Sequence, residues 1–469
     1  MVAVAGASGF VGTCLRHALS EQYHWIGLTR SKALEQMSPS AHNTEWKRCD
    51  LFSLPQVREA MSGADYGIYM VHSMLPSSRL VQGNFRDMDL LLADNFIRAA
   101  EEAGIKRVIY LGGLIPSGEP KEKLSPHLAS RLEVEQVLRS RNLPVTVLRA
   151  GLIFGPGGSS AQMLLNLTRR LPIMIFPRWT RNTTQSTDIR DVVRAIQLVL
   201  EDDTYTGTYD LGGHPAMSYG DMIQRTSNII GRPTVSINVP FNWFRLSRRW
   251  VSLFGSTSAN LVNPLLESLR HSISAEPNPL MDKLLPDAVS FEESVRSAID
   301  VGGRPKPNPR QSTQPIDNAH IQQAKRVRSI QRMPLPRGWS ALRLSKRYSK
   351  WINRYTFGVI RERRDENGVL RLSFLRRKWV LLELTPTPFS VDCEYRRAYY
   401  ITGGFLARDI QPPGRFELRI FPEISCLIAA IHGFRPRLPW ILYSCSQAFI
   451  HLGVMKAYAR YLGKQARKM

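Results

Sequence analysis

The stretch Met1-Val-Ala-Val-Ala-Gly-Ala-Ser-Gly-Phe-Val-Gly12 decides the fold of the N-terminal part of the chain. Val2 to Ala5 form a short apolar run, as a buried parallel strand does, and apolar residues then recur at helical spacing from Val11. Three glycines lie between the strand and the helix. This order directs the free N–H groups of a helix N-terminus towards a phosphate. The stretch therefore predicts a dinucleotide-binding turn.

Each glycine of this turn has its own steric reason. Gly6 allows the tight turn, Gly9 allows the backbone to approach a pyrophosphate, and Gly12 allows the helix to pack closely on the strand. The spacing is GxxGxxG rather than GxGxxG. Such a motif is informative only between a strand and a helix, which is its context here.

Further strands alternate with helices as far as Ala150. The predicted strands are Val2–Ala5, Trp25–Thr29, Glu45–Cys49, Asp65–Val71, Arg107–Leu111 and Val145–Arg149. This alternation predicts an α/β fold with a doubly wound, Rossmann-type parallel sheet. The pattern loosens after Ala150 and indicates a small lid region, so we expect a first domain over residues 1–303.

The composition changes after Gly303. Residues 304–336 are rich in proline and basic residues, which is typical of an extended linker. Residues 337–469 alternate as antiparallel strands do, with a hairpin turn at Asn367-Gly368. The predicted strands are Phe357–Arg361, Val369–Leu375, Trp379–Thr385, Ser390–Arg396 and Phe416–Phe421, and the chain ends in a helical region over Leu438–Gly463. We expect a basic C-terminal α+β domain, whose curved sheet and last helix would suit a helix-grip, START-like cavity for an apolar ligand.

The net charge of +24 is concentrated in the C-terminal third. Residues 1–303 contain 31 Lys/Arg and 29 Asp/Glu, whereas the remainder contains 32 basic and 10 acidic residues. Such an excess attracts an anionic partner. Leu438–Met455 is apolar and flanked by basic residues, and three interpretations stand: a helix lying across the sheet, interfacial attachment to an anionic membrane, or a membrane span.

Nucleic acid ranks below a membrane surface as the anionic partner, because the basic residues come without a helix-turn-helix, zinc-ligand or RNP pattern. The five cysteines are scattered and lack a CxxC pair, which favours reduced thiols and predicts no metal site. No signal peptide is visible. We expect a cytoplasmic protein. Peripheral attachment to the inner face of the membrane is a second, compatible expectation.

Arg30 follows the second strand, at the position that meets the adenosine ribose. An arginine there pairs with a 2′-phosphate, so NADP is favoured and NAD is the alternative. Asp50 and Leu51 follow the third strand and fit an adenine contact, although Asp50 also suits a helix N-cap. The residues predicted to bind the cofactor are Gly6, Ala7, Ser8, Gly9, Phe10, Val11, Gly12, Arg30, Asp50, Leu51, Val71, His72, Gly112 and Gly151.

These features together resemble the short-chain dehydrogenase/reductase superfamily over residues 1–300. The resemblance is carried by GASGFVG, Arg30, Asp50-Leu51, Asn95 and the run Leu148–Gly157. It is closer to the extended and atypical branches, including NmrA-like NAD(P)-binding proteins, and the stretch Tyr69–Met74 resembles an uncharacterised bacterial group with a C-terminal domain of unknown function. The resemblance implies an NAD(P)-binding Rossmann fold.

The chain departs from that superfamily where catalysis is expected. Its reductases use a serine after the fifth strand and Tyr-x-x-x-Lys on the next helix, where the chain has Leu111-Gly112-Gly113 and His127-Leu-Ala-Ser-Arg131. One interpretation makes His127 the acid/base and Arg131 a group that holds the nicotinamide ribose or a diphosphate. The other makes His127 a helix-start residue without a catalytic role. Ser117, Ser125 and His72 are substitutes for His127.

Two functions follow from these residues. The first is an NADP(H)-dependent oxidoreductase that acts on a small, apolar or membrane-derived, lipid-like substrate. The second is a non-catalytic NAD(P)-binding redox sensor or scaffold of the NmrA-like type. The missing serine and Tyr-x-x-x-Lys favour the second, whereas His127 and the added C-terminal domain favour the first.

Overall fold

The computed structural model describes residues 1–36, 41–72, 78–242, 267–308, 314–374, 379–388 and 393–468. Two compact units make up the chain. The first comprises residues 1–74 and 89–315, and the second comprises residues 75–88 and 316–469. The aromatic and basic stretch around Trp243 and Arg249, which the sequence makes conspicuous, lies outside the described residues.

The first unit is built on a seven-stranded parallel sheet. In chain order, the strands of residues 1–242 are β1 (Val2–Ala5), β2 (Trp25–Thr29), β3 (Thr44–Arg48), β4 (Tyr66–Tyr69), β5 (Leu80–Gln82), β6 (Arg107–Gly113), β7 (Val145–Ala150), β8 (Leu152–Phe154), β9 (Ile173–Phe176), β10 (Thr183–Thr184), β11 (Ser186–Asp188), β12 (Gly207–Leu211), β13 (Met217–Ser218) and β14 (Val235–Asn238). The sheet has the order β12-β7-β6-β4-β1-β2-β3, which confirms the predicted doubly wound fold. β1 and β2 are buried throughout, as their apolar sequences predict.

Helices connect these strands and continue beyond them. They are α1 (Phe10–Ala18), α2 (Lys32–Glu35), α3 (Leu54–Met61), α4 (Phe85–Glu102), α5 (Pro126–Leu138), α6 (Ser159–Arg170), α7 (Ile189–Glu201), α8 (Tyr219–Ile229), α9 (Pro279–Leu284) and α10 (Phe291–Ser297). The predicted lid corresponds to the two-stranded pairs β10-β13, β11-β8 and β14-β9 with their helices. A separate hydrophobic cluster around Phe154, Leu165 and Phe291 holds this region together.

The second unit is built on an eight-stranded sheet with the order β16-β17-β18-β19-β20-β21-β15-β5. Its remaining strands are β15 (Val327–Pro334), β16 (Ile360–Arg364), β17 (Leu370–Phe374), β18 (Trp379–Pro386), β19 (Arg396–Gly403), β20 (Gly414–Phe421) and β21 (Cys426–Phe434). Its helices are α11 (Gln314–Ala324), α12 (Ala341–Tyr355), α13 (Trp440–Cys445) and α14 (Gln447–Ala466). The strands from β16 to β21 form an antiparallel meander, and its last strand, β21, pairs with β15, which precedes the meander in the chain.

The segment 304–336, predicted as a linker, contains α11 and β15. β15 pairs antiparallel with β21 and parallel with β5, so it lies inside the sheet. Its proline, Pro334, stands at the last position of the strand, opposite Cys426. The proline-rich composition predicted a linker, but a proline at the end of a strand does not prevent the strand from forming. The strand expected over residues 390–396 lies partly outside the described residues, and β19 begins at Arg396.

Side chains fill the space between the sheet and the helices of the second unit. Leu344, Leu418 and Tyr458 belong to one buried cluster, and the ring of Tyr348 lies 4.9 Å from that of Tyr458. A second cluster, which includes Tyr399 and Phe434, continues along the same sheet. The strand order resembles a helix-grip arrangement, and the predicted cavity for an apolar ligand stays a prediction. In the described part of the chain, no helix is both long and apolar enough to cross a membrane.

Candidate dinucleotide site

The glycine turn connects β1 to α1, as the sequence predicts for a dinucleotide-binding turn. Gly6 has φ +97, a conformation that favours glycine, and its carbonyl accepts a hydrogen bond from the Gly9 N–H at 2.9 Å. A Cβ added to Gly12 would lie 2.7 Å from the Ala7 Cα and still nearer the Gly6 carbonyl oxygen. Among the described residues, no side chain caps the N-terminus of α1. The turn therefore leaves room and backbone donors for a phosphate.

Arg30 lies at the end of β2 with an exposed side chain, whereas its neighbours Thr29 and Ser31 are buried. The Thr29 hydroxyl accepts a hydrogen bond from the Ser31 N–H at 3.1 Å, and the Ser31 hydroxyl caps α2. This arrangement fixes the backbone and turns the guanidinium outwards. Its role towards a 2′-phosphate stays a prediction.

Asp50 and Leu51 follow β3 and are both half-buried. The Asp50 carboxylate accepts a hydrogen bond from the Phe52 N–H at 3.2 Å, so it stabilises the local turn. The Asn95 side chain of α4 donates to the Leu51 carbonyl at 2.8 Å and holds this segment against the helix. Asn95 thus positions the segment from which the adenine contact was predicted.

Three further predicted cofactor residues lie at the carboxyl ends of neighbouring strands. Val71 follows β4, whose end is tied to β1 by the Met70 N–H and the Ala5 carbonyl at 2.9 Å. Gly112 lies near the end of β6, and Gly151 follows β7. A side chain on Gly151 would overlap the Gln185 carbonyl. The carboxyl end of a parallel sheet is where such folds bind their ligands.

Two histidines and an aspartate form a hydrogen-bonded chain in the first unit. His72 Nδ1 lies 2.7 Å from the Asp89 carboxylate, and His72 Nε2 lies 3.1 Å from His127 Nδ1. His127 is in the first turn of α5, and Asp89 is a buried residue of α4. We call Asp89, His72 and His127 the histidine relay. It brings together two predicted site residues and one that the sequence analysis missed.

The surroundings of the relay favour neutral imidazoles. Burial, with contributions from His72 and Arg131, holds the pKa of His127 well below its usual range. Burial and Arg131 also lower the pKa of His72, against the opposing effect of Asp89. A carboxylate only accepts hydrogen bonds, so His72 Nδ1 carries the hydrogen and, with both rings neutral, His127 Nδ1 donates to His72 Nε2. His127 Nε2 then holds a lone pair.

Neighbouring tyrosines do not replace the catalytic tyrosine of the Tyr-x-x-x-Lys motif. Tyr110 donates its hydroxyl to the Arg131 carbonyl at 3.3 Å, and burial raises its pKa to about 12. Burial also raises the pKa of Tyr69 well above its usual range. Arg131 packs beside the end of β6, where a Cβ on Gly113 would lie 3.9 Å from its Cγ. The arginine thus stands near the strand end at which the superfamily's serine is absent.

The other candidates have structural partners. The Ser125 hydroxyl caps α5 by accepting from the Leu128 N–H at 3.3 Å, and Ser117 bonds to Glu276. Arg149, near the end of β7, forms a two-nitrogen ion pair with Glu135 at 3.0 and 2.9 Å. Among these substitutes, His72 joins His127, whereas Ser117 and Ser125 are committed to local contacts.

The model for the NAD dependent epimerase/dehydratase family matches residues 2–212. These matched residues are less than half of the chain, and they are similar to that family. The match includes the glycine turn, where a Cβ at position 12 would require backbone atoms of Gly6 and Ala7 to move. The NAD(P)-binding class predicted from the sequence agrees with this match.

Individual relatives are distant. The auxiliary protein GraX of Staphylococcus aureus is 28% identical over 142 residues, which are 30% of this chain and 45% of GraX. The match therefore spans less than half of that relative. Triphenylmethane reductase of Citrobacter sp., solved with NADP(H), has a TM-score of 0.50 at 18% identity, covering 64% of this chain and 100% of the reductase. An NADPH-dependent quinone oxidoreductase of Escherichia coli has a TM-score of 0.46 at 18% identity, covering 63% and 98%.

Proposed function

We propose that the protein is an NADP(H)-dependent oxidoreductase in which the histidine relay moves the proton. The observation that supports this function most directly is the continuous chain from Asp89 through His72 to His127. His127 and Arg131 are four residues apart on α5, which is the spacing of the tyrosine and lysine in Tyr-x-x-x-Lys, and we propose that they take those two places. An imidazole is suited to proton transfer near neutral pH.

The relay accepts a proton in the direction of alcohol oxidation. His127 Nε2 takes the proton of the substrate hydroxyl, and the His127 Nδ1 proton passes to His72 Nε2. His72 then carries a positive charge beside the Asp89 carboxylate, which stabilises it. In carbonyl reduction each proton moves the other way. NADP(H), when bound, accepts or supplies the hydride.

NADP rather than NAD is proposed because Arg30 is exposed at the ribose end of β2. The stretch Gly27-Leu-Thr-Arg-Ser31 contains no carboxylate that would accept from a ribose 2′-hydroxyl. Arg131 is proposed to hold the nicotinamide ribose or a diphosphate group. The glycine turn is proposed to hold the pyrophosphate against the first turn of α1.

The substrate is proposed to be apolar and to come from a membrane, with the reaction on the cytoplasmic side. Support comes from the second unit, in which basic residues far outnumber acidic ones and large apolar side chains are exposed near the C-terminus.

Stereospecifically deuterated NADPH tests the enzyme function. Full-length protein is incubated with each 4-deuterated isomer and a lipid extract, and products are searched for deuterium by mass spectrometry. We expect transfer from one isomer, and His127→Gln should lower the transfer at least a hundredfold without weakening NADPH binding. His320→Gln, at an exposed histidine of α11, is the matched control.

The alternative is a non-catalytic NADP(H) sensor or scaffold. It is favoured by the glycines at positions 112 and 113, where reductases have a serine, and by the buried phenols of Tyr69 and Tyr110. Tight NADPH binding with no label transfer from either isomer would support this alternative and refute the oxidoreductase.

A further inference from the structure

The helical hairpin at the C-terminus exposes large apolar side chains. Ile441 and Leu442 of α13 are 75% and 57% exposed, and Phe449 and Ile450 of α14 are 67% and 66% exposed. We call these four residues the apolar tip. They are close in sequence, and α13 contacts α14. A cluster of this kind marks a binding surface more often than scattered single residues do.

A row of basic residues continues from the apolar tip along the outer side of α14. The exposed positions with helical spacing are Phe449, Gly453, Lys456, Arg460, Lys464 and Arg467. The last four of these form the basic stripe. The opposite side of the helix is buried and packs on the sheet through Met455, Tyr458 and Leu462. Because the inner side holds the helix in the fold, the outer side is presented as one fixed surface.

The charge of this region is of one sign. After Glu423 the chain contains seven Lys/Arg and no Asp/Glu. A second copy of the chain would bring the same charge to the contact, which disfavours self-association through this face. An anionic lipid surface satisfies both features at once, because headgroups attract the basic stripe and the acyl boundary accepts the apolar tip.

We propose that the apolar tip inserts into the interface of an anionic lipid bilayer while the basic stripe contacts its headgroups. In this proposal the apolar tip lies in the lipid interface and does not span the bilayer. Among the described residues, no helix is long and apolar enough to span it. This inference rests on the membrane origin proposed for the substrate and is independent of the histidine relay. It identifies the residues that would bring the protein to its substrate.

Vesicle co-sedimentation of the full-length protein tests the proposal. The vesicles contain either phosphatidylcholine alone or phosphatidylcholine mixed with phosphatidylglycerol as the anionic lipid. The tip variant is Phe449→Ser with Ile450→Ser, and the stripe variant is Arg460→Gln with Lys464→Gln. Phe357→Ser is the matched control, since Phe357 lies in the same unit, outside the hairpin, and is 96% exposed.

We expect binding to the anionic vesicles to exceed binding to the neutral ones at least tenfold and to weaken in high salt. The tip variant should lose at least tenfold in partitioning. The stripe variant should lose about 25-fold at low salt, because each basic residue near an anionic surface contributes about fivefold. Phe357→Ser should bind as the wild type does.

Equal binding by the tip variant and the wild type would overturn the proposal, as would the absence of wild-type binding to anionic vesicles. A dimer that the tip variant dissociates, with no vesicle binding, would assign the surface to self-association instead. Thermal unfolding of each variant checks the fold. Label transfer from deuterated NADPH in detergent, measured alongside, separates failure of membrane attachment from failure of the proposed chemistry.

Discussion

Replacing Gly12 and Gly9 by alanine separates the two tasks of the glycine turn, which are packing and cofactor approach. An added Cβ at Gly12 would lie 2.7 Å from the Ala7 Cα and 2.8 Å from the Ala7 carbonyl oxygen. Ordinary contact begins at 3.4 Å, so backbone atoms would have to move by more than half an ångström. At Gly9 the nearest atom is the Gly6 carbonyl oxygen at 3.1 Å, which requires a shift of only a few tenths of an ångström.

These distances give the expected magnitudes. Overpacking of backbone at Gly12 costs about 1–3 kcal/mol, partly offset by a gain of about 1 kcal/mol from replacing a helical glycine. Gly12→Ala should therefore lower the free energy of unfolding by up to about 2 kcal/mol. Gly453→Ala is the matched control, since nothing lies within 4 Å of its added Cβ on α14, and it should raise that free energy by about 0.5–1 kcal/mol.

Gly9→Ala should change stability by less than about 0.5 kcal/mol and weaken NADPH binding at least tenfold, because its methyl group would occupy the surface that the pyrophosphate approaches. Urea unfolding measures stability, and quenching of tryptophan fluorescence by NADPH measures affinity. Wild-type affinity in Gly9→Ala would refute the assignment of the pyrophosphate to this turn. Equal stability of Gly12→Ala and Gly453→Ala would refute the packing argument.

Three other predictions concern charge. Arg30→Asp should weaken NADPH binding at least tenfold and NADH binding by less than threefold, because Arg30 is proposed to pair with the 2′-phosphate. Arg48→Asp, at the end of β3, is the control. Equal losses of affinity for both cofactors would contradict this pairing. Since the pKa of His127 lies below its usual range, the rate of alcohol oxidation should stay constant from pH 8 to 6.5 and fall only at lower pH. A fall in rate centred near pH 8 would exclude the histidine relay as the base. Burial lowers the pKa of His432 to about 4, so the free energy of unfolding should decrease by up to about 3 kcal/mol as the pH falls from 6.5 to 4. Urea unfolding of His432→Gln should show a shallower decrease with pH. The same decrease in wild type and variant would contradict the assignment to His432.

The sequence predicted the first unit well because its signals are local. β2 has the predicted bounds, since an apolar run specifies this strand without distant partners. The glycine turn was equally clear, because its steric requirements lie within one short stretch. The paired histidines were also visible as candidates, although their contact was not.

The elements that the sequence did not predict depend on distant contacts. β21 was missed because it is buried at most positions and so lacks the period of two that marks a half-exposed strand. β19 begins with Arg396 and Arg397, which a periodic pattern assigns to solvent. In the structure Arg396 is buried and donates to Glu417 at 3.1 Å. Such pairing is decided by another strand and cannot be found from local periodicity.

Asp89 was missed for a related reason. It belongs to α4 and is 1% exposed, although aspartate is rarely buried without a partner. The signal available in the sequence was an acidic residue among the core positions of an apolar helix. Its partner His72 is 17 residues away, and only the fold shows that the two side chains meet.

The pairing of β5 with β15 has a consequence for biosynthesis. Val327 is opposite Leu80, so a strand made early in translation must wait for one made much later. At about 5–20 residues per second, the roughly 250 residues between them take about 12–50 s to synthesise. During that interval β5 of the ribosome-bound chain has not yet met β15, the strand with which it pairs. The second unit is therefore the last to mature, and a fragment beginning after Pro315 would lack its edge strand.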